Sequence, residues 1–187
     1  QCVAVRGPKA HELAAGGQGL AADADWPGLP GVDLLGEAPA VPEGVRPCSL
    51  DAYEAVRIES GVPAMGRELD ERTIPAEAGV VDRSVSFTKG CYTGQELVAR
   101  IDSRGGNVPR RLRGVVLATN VLPPPGAAVQ VDDRDVGTLT SVGESLDRRA
   151  PVGLAYVGRA VSPPADVTLV WEGGSAPARV EDLPLVS

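Results

Sequence analysis

The chain is poor in the residues that carry metal and disulfide chemistry, with three cysteines, one histidine and one methionine in 187 residues. Cys2, Cys48 and Cys91 are odd in number and show no CxxC spacing. This argues against a disulfide scaffold and for a reducing compartment, so a cytoplasmic location is expected. His11 without a cysteine pair supplies too few ligands for zinc, and no metal is expected. Aromatic residues make up 3% of the chain, a thin stacking platform for a nucleic-acid binder, and no stable nucleic-acid complex is expected. No apolar run approaches the roughly 20 residues of a membrane-spanning helix, and no basic start leading into an apolar segment suggests a signal peptide. GxGxxG, GxxxxGK[ST] and GxSxG patterns are all missing, so nucleotide-driven chemistry and a nucleophile-elbow hydrolase have no footing. The chain opens on Gln1 instead of Met and is read as a piece of something longer.

What is present is an ordinary globular composition, 43% hydrophobic and 23% charged, long enough for a sizeable core and one or two domains. The 23 Gly and 17 Pro fall between apolar runs, which speaks against disorder. Net charge is −7, yet Lys89, Arg100, Arg104, Arg110, Arg111 and Arg113 stand against only Glu96 and Asp102 between positions 89 and 114. That stretch is either a solvated charged face or a local site for an anionic ligand, a task for which planar Arg forks suit carboxylates and phosphates.

Cys2 to Val5 reads as a short strand, followed by a helix from near Lys9 with Leu13 and Leu20 inside. Val32 to Leu35 reads as a brief strand in a Pro- and Gly-rich stretch. Ser49 is an N-cap for a helix with Leu50, Tyr53 and Val56 on its apolar side, stopped by Gly61 and Pro63. Val80-Val81 and Val85 to Phe87 read as strands. After Pro109 come six Val-rich runs, 112–117, 127–131, 136–142, 152–157, 167–171 and 178–183, separated by turn residues, which predicts a small antiparallel barrel or sandwich. The domain boundary is placed at Asn107 to Pro109.

Two constellations carry chemistry. In Lys89-Gly90-Cys91-Tyr92-Thr93-Gly94-Gln95-Glu96, Thr93 and Glu96 have capping-box spacing and predict a helix starting at Thr93. Cys91 then sits just outside a helix N-terminus, where the dipole and Lys89 favour a thiolate; the alternative is a small buried hydrophobe. The other constellation is Arg57 to Gly61 with Tyr53. Glu59 at a helix C-terminus is poorly placed for the dipole, and a heterocycle presenting N–H donors would compensate, with an aromatic covering the ring. The alternative is a surface Glu paired with Arg57.

The stretches RIESGVP (57–63), DERTIPAEAG (70–79) and FTKGCYTGQELVAR (87–100) resemble the folate-binding YgfZ proteins, relatives of the glycine-cleavage T-protein. The resemblance implies an α+β chain, with part of a folate-binding module over residues 1–109 and a small antiparallel C-terminal β-barrel over 110–187. It implies tetrahydrofolate or a derivative as ligand, Cys91 as the required cysteine with Lys89 beside it, and Glu59, Tyr53 and Arg57 against the ligand. Arginines of the 100–113 stretch, Arg100 among them, would meet the glutamate tail. The implied function is an accessory one, serving iron-sulfur carrier or client proteins and tRNA modification. The alternative is a tetrahydrofolate-dependent aminomethyl transferase, disfavoured by the cysteine that true T-proteins lack. Members of the family begin with a further segment that forms about half of the folate-binding ring, so this chain is expected to hold only part of a site.

Overall fold

A computed structural model describes residues 1–103 and 105–186. The first part is a three-stranded antiparallel sheet in the order β1-β3-β2, built from β1 (Cys2–Arg6), β2 (Leu20–Asp23) and β3 (Gly31–Leu35). Helix α1 (Ala10–Ala14) covers one face, and Val5, Val32 and Leu34 meet Ala10 and Ala14 in a small core. The expected helix is therefore shorter than its apolar pattern suggested. Leu20 lies on β2 and is 68% exposed, because the glycines at 16, 17 and 19 end the helix before it.

Helix α2 (Leu50–Glu59) starts where Ser49 Oγ accepts the Ala52 N–H at 3.2 Å and stops at Gly61, whose φ of +68° favours glycine. Its buried side is not the expected one. Leu50 is 70% exposed, whereas Ala55, Arg57, Ile58 and Glu59 are buried, with Ala55 and Ile58 packed on the bare backbone of Gly143 in the barrel. The Val80 to Phe87 stretch, expected as strands, instead contains the short helix α3 (Val81–Ser84), and among the described residues no strand pairs with it. Helix α4 spans Gln95–Ser103.

All six Val-rich runs form strands: β4 (Arg110–Leu117), β5 (Ala128–Val131), β6 (Arg134–Ser145), β7 (Ala150–Gly158), β8 (Ala165–Trp171) and β9 (Gly174–Glu181). They close into an antiparallel barrel in the order β4-β7-β6-β5-β8-β9, with β9 paired back to β4. Alternation places Val115, Val129, Leu139, Val157, Leu169 and Val180 inside. The opposite face of β7 presents Val152, Leu154 and Tyr156 to Ile58 of α2 and to Leu185 near the C-terminus. Strand β7 is thus covered on both faces, and each fully buried Leu or Val there contributes about 1.5–3 kcal/mol.

Candidate functional site

The end of α2 is fixed to the barrel by a buried polar network. Arg57 Nη1 donates to Val62 O at 2.6 Å and to Glu68 Oε2 at 3.1 Å; Nη2 donates to Ser141 Oγ at 2.8 Å and Glu54 Oε2 at 3.0 Å; Nε donates to Glu54 at 3.2 Å. All five donors are used inside the protein, so Arg57 acts as a cross-link and keeps no donor for the cofactor it was expected to hold. Glu68 also accepts the Ala64 N–H at 2.9 Å and the Ser141 hydroxyl at 2.6 Å. Burial works against the Glu68 charge, but hydrogen bonds from Ser141 and Ala64, with the Arg57 guanidinium beside them, hold the carboxyl below its ordinary value.

Glu59 is only 7% exposed, and among the described residues its carboxylate has no hydrogen-bond or ion-pair partner. Its backbone carbonyl accepts the Leu185 N–H at 2.7 Å, which pins the residue to the C-terminal segment. The surface Glu59–Arg57 pair is absent, since Arg57 turns to Glu54 and Glu68. Tyr53, about 120° away around α2, packs edge-on against Trp26 with ring centroids 5.2 Å apart, and the Arg6 guanidinium lies 4.6 Å from the Trp26 ring. Burial raises the Tyr53 phenol pKa above its ordinary value. Trp26 escaped the sequence reading because it is a lone aromatic in a turn-rich segment. Glu68 and Ser141 escaped it because nothing local marks a polar pair so far apart in the chain.

Cys91 and Lys89 are both exposed. Helix α4 begins at Gln95, not Thr93, because Gly94 takes a φ of +86° that breaks the intended first turn. Neither Thr93 nor Glu96 makes a side-chain hydrogen bond among the described residues, so the capping box is not formed. Cys91 therefore lies four positions ahead of the first helical residue, instead of beside the helix start. Lys89 Nζ sits 5.1 Å from the Tyr92 ring centre.

The expected cationic cluster is divided. Arg110 pairs with Glu77 at 2.9 Å and covers the Tyr156 ring at 4.5 Å, Arg111 donates to Gly106 O at 2.6 Å, and Arg113 pairs with Asp182. Arg100 is exposed on α4, and Arg104 lies outside the described residues. Among the described residues no helix is long and apolar enough to cross a membrane.

Residues 110–187 match the family described as the glycine cleavage T-protein C-terminal barrel domain. A chloroplastic protein of Arabidopsis thaliana described as a transferase is 38% identical over 62% of this chain and 26% of its own length. An aminomethyltransferase of Streptomyces avermitilis is 34% identical over 76% of this chain and 39% of its own length. The crystal structure of the glycine cleavage system aminomethyltransferase T from Bartonella henselae shares the fold, with a TM-score of 0.70 at 21% identity, covering 87% of this chain and 48% of that one. The chain thus spans less than half the length of each of these three relatives. Residues 110–187 thus carry the T-protein C-terminal barrel domain, and the chain is similar to parts of aminomethyltransferases.

Proposed function

We propose that this chain carries part of the tetrahydrofolate site of a one-carbon, aminomethyl-type transferase. Similarity to aminomethyltransferases favours that reading over the accessory role implied by the KGCYTGQE resemblance. The observation that carries it is Glu59, a residue only 7% exposed whose carboxylate has no hydrogen-bond or ion-pair partner among the described residues. A protein keeps such a group at a cost unless a ligand satisfies it. A reduced pterin presents ring and amino N–H groups side by side, and a carboxylate accepts such a pair in one plane. Tyr53 and Trp26 supply an aromatic surface on the neighbouring side of α2. When bound, tetrahydrofolate supplies the amine nitrogens that accept the one-carbon unit; Glu59 orients the ring, and the Arg57 cross-link holds Glu59 in place.

Calorimetric titration of the chain with tetrahydrofolate tests this, comparing the parent with Glu59→Gln. Loss of a charge-assisted pair is expected to weaken binding roughly 10- to 100-fold. Equal affinity of the two would remove Glu59 from the ligand site.

The exposed thiol of Cys91 favours a second reading, that of a folate-binding partner of iron-sulfur carrier or client proteins and of tRNA modification. One cysteine is too few to hold a cluster unaided, so its contact would be shared with the partner. Aminomethyl-donor turnover that survives Cys91→Ser supports the transferase, whereas loss of client iron-sulfur activity in that variant supports the accessory role.

A further inference from the structure

Two pockets lie side by side around α3 and the start of β4, the first reaching α4 and the second the end of α2, and both have Ala76, Gly79 and Arg111 in their walls. The first, about 210 Å³, is lined on its apolar side by Ile74, Val81, Val98 and Ile101. The second, about 200 Å³, is polar and includes Ser60, Glu77, Arg83 and Arg113. Together they reach the lower part of the roughly 300–1,000 Å³ range of small-molecule sites.

We infer that this double pocket binds one amphipathic carboxylate, with its apolar body against Val98 and Ile101 and its acid group beside Ser60, Arg83 and Arg111. Ser60 lines the polar pocket and is 1% exposed, and its hydroxyl is buried without a hydrogen-bond partner among the described residues. A buried donor left unmatched in a pocket wall marks where a ligand atom belongs. The charges give the ligand its direction. Asp82 and Asp102 border the apolar pocket and repel an acid at that end, whereas the polar pocket holds Arg83, which has no partner among the described residues, and Arg111, which uses Nη2 on Gly106. The charges also select a monoanion. Arg113 is already paired with Asp182, and the Glu77 carboxylate, paired with Arg110, stands in the same wall, so a dianion such as phosphate would meet too little free positive charge. Neither Glu59 nor Tyr53 lines the site.

The test titrates the chain with 4-phenylbutyrate, its neutral amide and inorganic phosphate, following the backbone amide resonances of Ser60, Gly79, Arg83 and Val98. Phenylbutyrate is expected to give saturable shifts at both ends of the double pocket with a Kd of about 1 mM, the affinity a ligand of this size can reach. Arg83→Gln, which breaks no described contact and leaves the fold intact, is expected to weaken it about tenfold. Ser60→Ala is expected to weaken it a few-fold. Equal binding of the amide, or a phenylbutyrate affinity unchanged by Arg83→Gln, overturns the carboxylate assignment. Phosphate shifting Ser60 and Arg83 as strongly as phenylbutyrate, with Val98 unmoved by either, overturns the single amphipathic ligand. No saturable shift with phenylbutyrate overturns the site.

Discussion

Ser141 Oγ on β6 donates a 2.6 Å hydrogen bond to Glu68 Oε1, and this contact ties the barrel to the segment that follows α2. Both residues are nearly sealed from solvent. Ser141 also accepts from Arg57, so deleting its hydroxyl leaves two buried charged groups each short of a partner. Ser141→Ala is expected to destabilise the chain by about 1–3 kcal/mol. Glu68→Gln, which strips the Arg57 guanidinium of its buried counter-charge, is expected to cost about 3–5 kcal/mol. Urea unfolding at neutral pH measures both, and a cost for Glu68→Gln no larger than that of Ser141→Ala would show that the charge adds nothing beyond the hydrogen bonds.

The same carboxylate sets an acid limit. The Glu68 pKa is lower in the folded chain than its ordinary 4.5, so the unfolded state takes up the proton more readily. The stabilisation is complete above that ordinary value and is lost as pH falls through the folded one. The stability gap between the parent and Glu68→Gln should therefore shrink steadily below pH 4.5. A gap that stays constant down to the acid transition would mean that the charged form of Glu68 is not what the fold uses.

An alkaline limit comes from Tyr156. Burial pushes its phenol up to about 12, against the opposing pull of Arg110, and its hydroxyl donates to Glu68 O at 2.8 Å. A raised folded value means that the stabilisation is complete below the ordinary value of 10 and lost as pH rises towards 12. Tyr156→Phe should cost about 1 kcal/mol at pH 8 through the lost hydrogen bond. Between pH 10 and pH 12 the parent should fall towards the variant. Parallel curves for the two across that range would show that Tyr156 does not titrate with unfolding.

Legibility in the sequence followed the range of the interactions. The six barrel strands could be read because Val-rich alternation between turn residues is a local signal, and α2 because Ser49 and Gly61 mark its ends within the element itself. The buried side of α2 could not be read. Arg57 is buried only because Glu68 and Ser141 meet it, 11 and 84 residues away, and no local apolarity reports such a partner. Gly94 overruled the Thr93–Glu96 spacing through its backbone conformation, which the identities of the flanking residues do not reveal. Val80-Val81 had strand propensity but, among the described residues, no strand to pair with, and a single helical turn formed instead. At the candidate site, Glu59 was legible as an acid at the wrong end of a helix, while Trp26 and Tyr53 came together only in three dimensions.

Glu59 also offers a test that separates binding from folding. Glu59 is 7% exposed, and among the described residues its carboxylate has no partner, so the charge bears the cost of giving up part of its hydration with no contact in return. Replacing it by the nearly isosteric neutral amide removes that cost and deletes no described contact, since the pinning bond from Leu185 is made to the backbone carbonyl. Glu59→Gln without ligand is therefore expected to unfold in urea at the parent midpoint or above it, with a gain of up to about 2 kcal/mol, the size of other relieved buried polar groups. Residues retained for ligand contact at the expense of the fold show this opposition of stability and affinity. A loss of more than about 1 kcal/mol would place Glu59 among the structural residues beside Arg57 and Glu68, and the pterin would have to find its anchor elsewhere.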